Sequence, residues 1–341
     1  MRKEANGTLA IDNSLITQSA GCGLDFSSST GVHSVSNTVF SYNQQYGVCL
    51  HNALDTITFA ASTFTNNTPY SIYTTPLSSG FSIPADNILE RGIFVEGGTL
   101  SVNSAWSPQI YVMNTITVNS GITLTLPGSA ILKFLGDQAL EVNGTLDVNG
   151  AGGYPGSPVV ITEIRDDTGG DSNGDGTGTS PAPGSWRGIH VAENASASLD
   201  YTEIRYGGGY FYIHPWWGNH YGNLRKDNGG TLTINHSTIT KSAANGLGLI
   251  GTVEASQISH SLIFDNLGWG LYVETTACNL NIETSKFDHN SGGGISLINP
   301  SGYTNFFANT IVANTGTGIW LGNETAATVG GTDANGNNIY G

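Results

Sequence analysis

The run RDDTGGDSNGDGTG places Asp171, Asn173 and Asp175 at alternate positions ahead of Gly176. Oxygen-bearing side chains alternating in this way, closed by a glycine turn, are how a D-x-N-x-D-G loop wraps a calcium ion. The twelfth position of such a loop is Ala182 and not Glu, so an EF-hand is excluded and Asp167 or Asp166 has to complete a shell over residues 166–178. A structural calcium is the expectation; a solvated Gly–Asp turn is the alternative. A second concentration of chemistry lies at YFYIHPWWGNHYG, residues 210–222, where Tyr212, His214, Trp216, Trp217 and Tyr221 crowd into a chain otherwise rich in Gly, Ser, Thr and Asn. Rings of this kind stack on sugar faces or anchor protein contacts. A loop packed on its own body is the third option.

Two more columns of reactive side chains emerge when the chain is read at an interval of 24 residues. Tyr206, Lys241, Asp265, His289 and Ala313 fall at one position, with eleven residues inserted between the first two; Arg205, Thr240, Phe264, Asp288 and Val312 fall at the position before. If successive intervals stack at strand spacing, Asp265 and Asp288 come within about 5–7 Å, the separation used by retaining glycosidases. Arg205 or Lys241 would neutralise a uronate, and Tyr206 or His289 would carry the proton in a β-elimination. The plainer reading is a solvated column of opposite charges that keeps strands in register.

Those columns exist only if the interval is structural. SLIFDNLGWGLYV from Ser261, SKFDHNSGGGISL from Ser285 and NTIVANTGTGIWL from Asn309 superimpose without a gap, with Asn266, Asn290 and Asn314 as anchors, and the template returns at Ser19, Asn43 and Asn67. Apolar residues alternate within each unit, as at Ile295 and Leu297, in segments too short for helices. A unit this small cannot bury its own apolar face, but stacked units build one continuous core. The expectation is an all-β, right-handed parallel β-helix of about 24 residues per coil, one continuous solenoid with inserted loops. The anchor Asn is expected in a left-handed turn, bonded to the Asn of the next coil, and Gly four residues later at a sharp bend. The aromatic stretch then belongs to an insertion over residues 208–227. NGTLAIDNSLITQSAGCGL at Asn6 also matches GGTLTINHSTITKSAANGL at Gly229, so residues 1–98 read as the last coils of one module and 99–341 as a second.

Composition supports this and excludes several functions. Charged residues are 11% of the chain, 47 of 341 residues are Gly, and the formal net charge is −15, which disfavours helices and a nucleic-acid partner. No apolar run approaches the length of a membrane span. The N-terminal MRKEANGTLAIDN has no signal-peptide core and reads as the middle of a repeat, so any export signal is expected upstream. Cys22 and Cys49 are 27 apart instead of 24 and are expected not to stack; Cys22, aligned with Val48, is expected to be a buried free thiol.

With Trp106, then Tyr111 and Val112, then TLTLPG and EVNGTLDVNG, the chain over residues 99–341 resembles tandem β-helix modules of large secreted or surface-anchored bacterial proteins. The resemblance implies an extracellular or cell-surface location and a module for adhesion or for binding a polysaccharide, a surface glycan or a neighbouring protein. The runs N-T-D, G-D-D, G-H-G and R-I-K of polygalacturonases and R-x-P-x-x-R of pectate lyases are missing. A polysaccharide lyase or glycoside hydrolase working on the outward strip is the alternative to a non-catalytic module.

Overall fold

The computed structural model describes residues 1–4, 6–27, 31–51, 56–76, 81–151, 156–209, 222–298, 302–322, 327–329 and 337–340. Every element among them is a β-strand, and every strand pairs in parallel with its counterpart in the next coil. One 14-stranded sheet, the first face, runs the length of the solenoid, from Arg2–Lys3 to Asn338–Tyr340. In the C-terminal coils a 16-stranded sheet bends around the remaining two sides, because the 15-residue strands Asn245–Ser259 and Trp269–Glu283 turn a corner at register shifts between Ile250 and Ser256. Its leading halves form a second face and its trailing halves a third.

Register follows the interval of 24. Ile239, Ile263, Phe287 and Ile311 pair in one inward column, and Leu249, Val273 and Leu297 in another, all without solvent exposure. Each strand therefore hides alternate residues against the strands of the other faces, which is the burial that a lone coil lacks.

In the C-terminal coils two corners are closed by side-chain ladders inside the solenoid. At the first, the backbone N–H of Ser242 donates to Asn266 Oδ1 (3.0 Å), Asn266 to Asn290 (3.2 Å) and Asn290 to Asn314 (2.9 Å). Each Asn amide bridges as well: Asn290 Nδ2 donates to Asn314 Oδ1 at 3.0 Å and back to the Ile263 carbonyl at 3.1 Å. At the second corner the same role passes through Thr202, Ser237, Ser261, Ser285 and Asn309, each backbone N–H donating to the next side-chain oxygen at 2.9–3.1 Å.

The left-handed backbone lies one residue ahead of the expected anchor. Tyr206, Lys241, Asp265, His289 and Ala313 have φ between 51 and 64°, and His236, His260 and Thr284 repeat this at the second corner. The anchor is spared because its backbone must aim its N–H along the ladder. The repeated glycine also has another cause than a bend: a Cβ on Gly270 would lie 2.8 Å from Asn290 Nδ2 and 2.8 Å from the Gly294 carbonyl, so glycine makes room for the next coil's amide.

Near residue 98 the sheets reorganise. Two four-stranded sheets end at Phe81–Ser82 and Ile88–Leu89, the 16-stranded sheet begins at Gly98–Leu100, and the first face continues through Ile72↔Ile93 and Ile93↔Tyr111. Leu24, which matches Leu247 in the long repeat, pairs within the first face, whereas Leu247 pairs within the second. Matching residues of the long repeat thus sit on different faces of the solenoid. Cys22 and Cys49 form a disulfide between neighbouring coils, with Cα atoms 5.9 Å apart, contrary to the expectation from their spacing. Val48 aligns with Leu24 and Cys49 with Asp25, so the interval stays at 24 and the bridge runs diagonally from Cys49 to Cys22, three residues before its register partner. The buried free thiol is Cys278.

Asn290 is fully buried and serves both the Asn266 N–H and the Asn266 amide. Asn290→Leu puts a bulkier apolar side chain in the ladder and takes away the acceptor of the Asn266 N–H, and a loss of about 2–4 kcal/mol is expected in chemical denaturation. An unchanged midpoint would show that the ladder does not hold the coils.

Candidate functional site

The outward strip expected from the interval of 24 divides into two groups. In the first, Lys241 Nζ donates to Tyr206 Oη at 3.0 Å and lies 5.0 Å from the Tyr206 ring centre. Arg205 beside them is committed elsewhere: its Nε donates to Asp166 at 2.6 Å, and its other nitrogens to Glu203 and Thr168. In the second group, Asp265 N donates to the Asp288 carbonyl, so these residues sit on adjacent coils as expected. The Asp288 carboxylate, however, is paired with Lys286 and His289. Burial raises its proton affinity, but Lys286 and His289 outweigh that and hold it below the usual aspartate range. A carboxyl kept ionised is a poor proton donor at neutral pH.

Residues 166–178 fold back over the first face. The Asp166 carboxylate accepts from Thr162 (2.7 Å), Thr168 and Arg205. Asp171 accepts from the backbone of Gly174 (2.6 Å) and Gly176 (2.8 Å), Thr179 donates to Asp175, and Asn173 Nδ2 donates to Thr179 at 3.1 Å. Buried Lys133 donates to the Gly170 carbonyl at 2.6 Å, and the Arg91 guanidinium lies against Gly174. Desolvation lowers the proton affinity of Lys133, with Asp166, Asp167 and Asp171 opposing it in part. Backbone and hydroxyl donors thus reach Asp171, Asn173 and Asp175, while Lys133 and Arg91 lie against the backbone of Gly170 and Gly174. Tyr212, His214, Trp216, Trp217 and Tyr221 lie outside the described residues. Their insertion leaves at Gly209, whose N–H donates to the Trp186 carbonyl, and rejoins the second face at Gly222.

An interval of 24 does not reveal a further charge cluster. On the second face Glu141, His190 and Arg225 pair in adjacent coils although 49 and 35 residues separate them, because insertions break the period. His190 Nδ1 is 2.7 Å from Glu141 Oε2, His190 Nε2 is 2.9 Å from Asp227 Oδ2, and Arg225 Nε donates to Asp227 at 2.7 Å. Burial alone would discharge the imidazole, but Asp227 and Glu141 lift its pKa to about 9. Aligning the alternating runs ALEV, GIHV and GNLRK, instead of counting residues, would have found it. Below this cluster, Lys226 points inward and donates to the carbonyls of Asp227 (2.7 Å) and Gly229; burial lowers its pKa to about 8.

An open concavity lies on the third face. A groove of about 660 Å³ is lined by Thr233, Gln257, Asn279, Asn281, Tyr303 and Asn305, with Tyr303 77% exposed. Gln257 donates to Glu283 at 2.7 Å. The side-chain amides of Asn279, Asn281 and Asn305 have no hydrogen-bond partner among the described residues, unlike the Asn amides of the internal ladder.

Residues 184–339 match the family model described as right handed beta helix region. This stretch is a right-handed β-helix. The first face carries the same parallel stacking through the coils that precede it. No curated protein and no solved structure matches the chain. A match of this kind speaks to architecture and leaves the chemistry to individual side chains.

The His190 cluster makes stability depend on pH. Its folded pKa of about 9 lies above the ordinary value of 6.5, so its contribution is complete below pH 6.5 and is lost as pH rises through about 9. Lys226 acts in the opposite sense above pH 8, because its folded pKa is lowered. The difference between wild type and His190→Gln should therefore be largest near pH 6 and vanish above pH 10 in denaturant titrations; a constant difference would contradict the charged imidazole. Calcium at Asp167, Asp171, Asn173 and Asp175 remains a proposal drawn from their alternation. A bound ion raises the melting midpoint in millimolar calcium over that in EGTA, and equal midpoints would leave the hydrogen-bonded turn as the whole role of the loop.

Proposed function

We propose that the chain is a non-catalytic β-helix module that binds carbohydrate outside the cell or at a cell surface. The groove on the third face carries this reading. Planar amides with unspent donors and acceptors beside an exposed phenol ring are the groups that hold sugar hydroxyls and stack on sugar C–H faces. The disulfide between Cys22 and Cys49 supports an oxidising compartment, and the net charge of −15 disfavours polyanions. The aromatic insertion, with Tyr212, His214, Trp216, Trp217 and Tyr221, is proposed as a second contact for glycan or for a neighbouring protein.

One observation favours the enzymatic alternative. A phenol and an ammonium in contact, Tyr206 and Lys241, are groups able to move a proton in β-elimination from a uronate. The ionised Asp288 and the committed Arg205 count against it. A lyase would release unsaturated fragments from acidic polysaccharide and lose that activity on Tyr206→Phe; no release from wild type is expected.

Retention on immobilised polysaccharide tests the binding reading. Tyr303→Ala should abolish retention while leaving the melting midpoint within about 1 °C of wild type, since the ring is mostly in water. Trp216→Ala with Trp217→Ala should weaken retention in the same way. If the double variant instead loses several kcal/mol of stability, the insertion packs on its own solenoid. Full retention in Tyr303→Ala would remove the groove from the account.

A further inference from the structure

The outward residues of the third face form a column with one polar side chain per coil. Thr233 pairs with Gln257, Gln257 with Asn281, and Asn281 with Asn305, so four hydrogen-bonding side chains repeat at strand spacing, about 4.8 Å. Asn279 and Tyr303 pair in a parallel column two residues earlier on the same strands. The groove therefore runs along the solenoid axis, across strands, with a ring on one side and amides along its floor.

A pyranose chain linked equatorially at both ends, as in β-1,4 glycans, is an extended ribbon whose advance per sugar closely matches one coil. An α-1,4 chain curves into a helix and leaves such a straight ladder within a few residues. Resting on the carbohydrate-binding reading above, we propose that this groove holds an unbranched, neutral β-1,4-linked glycan along the solenoid axis. One sugar lies on each coil from Thr233 to Asn305, and Tyr303 stacks on a ring face. Neutrality follows from the chain's net charge of −15 and from the absence of Lys or Arg among the groove residues. The Asn281 and Asn305 amides, with no partner among the described residues, are free to take a hydroxyl donor and acceptor together.

Calorimetric titration with β-1,4-linked glucose, mannose, xylose and N-acetylglucosamine oligomers of two to six residues, and with the α-1,4-linked glucose series, tests it. At least one β-1,4 series should gain about tenfold or more in affinity between dimer and tetramer and then level off, as the ladder spans four coils. Asn281→Ala, an outward change that should leave the melting midpoint unaltered, should remove about tenfold from tetramer affinity and flatten the dependence on length. Equal binding of the α-1,4 series, or affinity that ignores chain length, would overturn the axial ladder while leaving carbohydrate binding in place. Binding only to branched or acidic glycans, lost in Tyr303→Ala, would overturn the substrate class alone. No binding of any glycan would remove both this inference and the reading beneath it.

Discussion

The solenoid depends on a hydrogen bond that no single coil can make. At each of two corners a backbone N–H turns into the interior, where an unpaired donor costs free energy on the order of 1–3 kcal/mol. The next coil supplies the acceptor, from Asn at one corner and from Ser or Asn at the other. Everything else at the corner adapts to this: the preceding residue enters the left-handed region, and Gly270 surrenders its side chain to the Asn290 amide. Hydrophobic columns supply the larger share of cohesion and already disfavour a one-residue slip, which would turn their side chains outward. The ladder fixes register, since an offset of one residue would leave every internal N–H unpaired.

Repetition made the fold legible. Asn266, Asn290 and Asn314 announce a coil length, and alternation of Ile295 with Leu297 announces strands. What the repeat could not convey was which backbone residue bears the left-handed turn, because Tyr206, Lys241, Asp265, His289 and Ala313 share no side-chain chemistry. The disulfide was illegible because an interval of 24 sets Cys49 against Asp25, whereas the bridge runs diagonally to Cys22, three residues earlier. Insertions hid the rest. Glu141, His190 and Arg225 meet because loops of different lengths lie between paired strands, so a fixed interval passes over them.

The exterior divides between satisfied and unsatisfied polar groups. On the first and second faces the charged side chains of the central coils neutralise one another in Arg205 with Asp166 and Glu203, in Asp288 with Lys286 and His289, and in His190 with Glu141 and Asp227. Such pairs sustain register and local order at modest net stability. On the third face the amides of Asn279, Asn281 and Asn305 have no hydrogen-bond partner among the described residues. That contrast, between amides spent on the interior ladder and amides left over on the outer wall, is the physical basis for placing recognition in this groove.

A double-mutant cycle at Asn266 and Asn290 tests the central constraint most directly. Each is replaced by Leu singly and then together, and unfolding free energy is measured in denaturant. If the interior ladder couples the coils, the double variant is destabilised by less than the sum of the singles, with an interaction energy of about 1–3 kcal/mol, because removing the second partner no longer orphans the first. Additive losses, within about 0.5 kcal/mol, would mean that each Asn only fills space in its own turn.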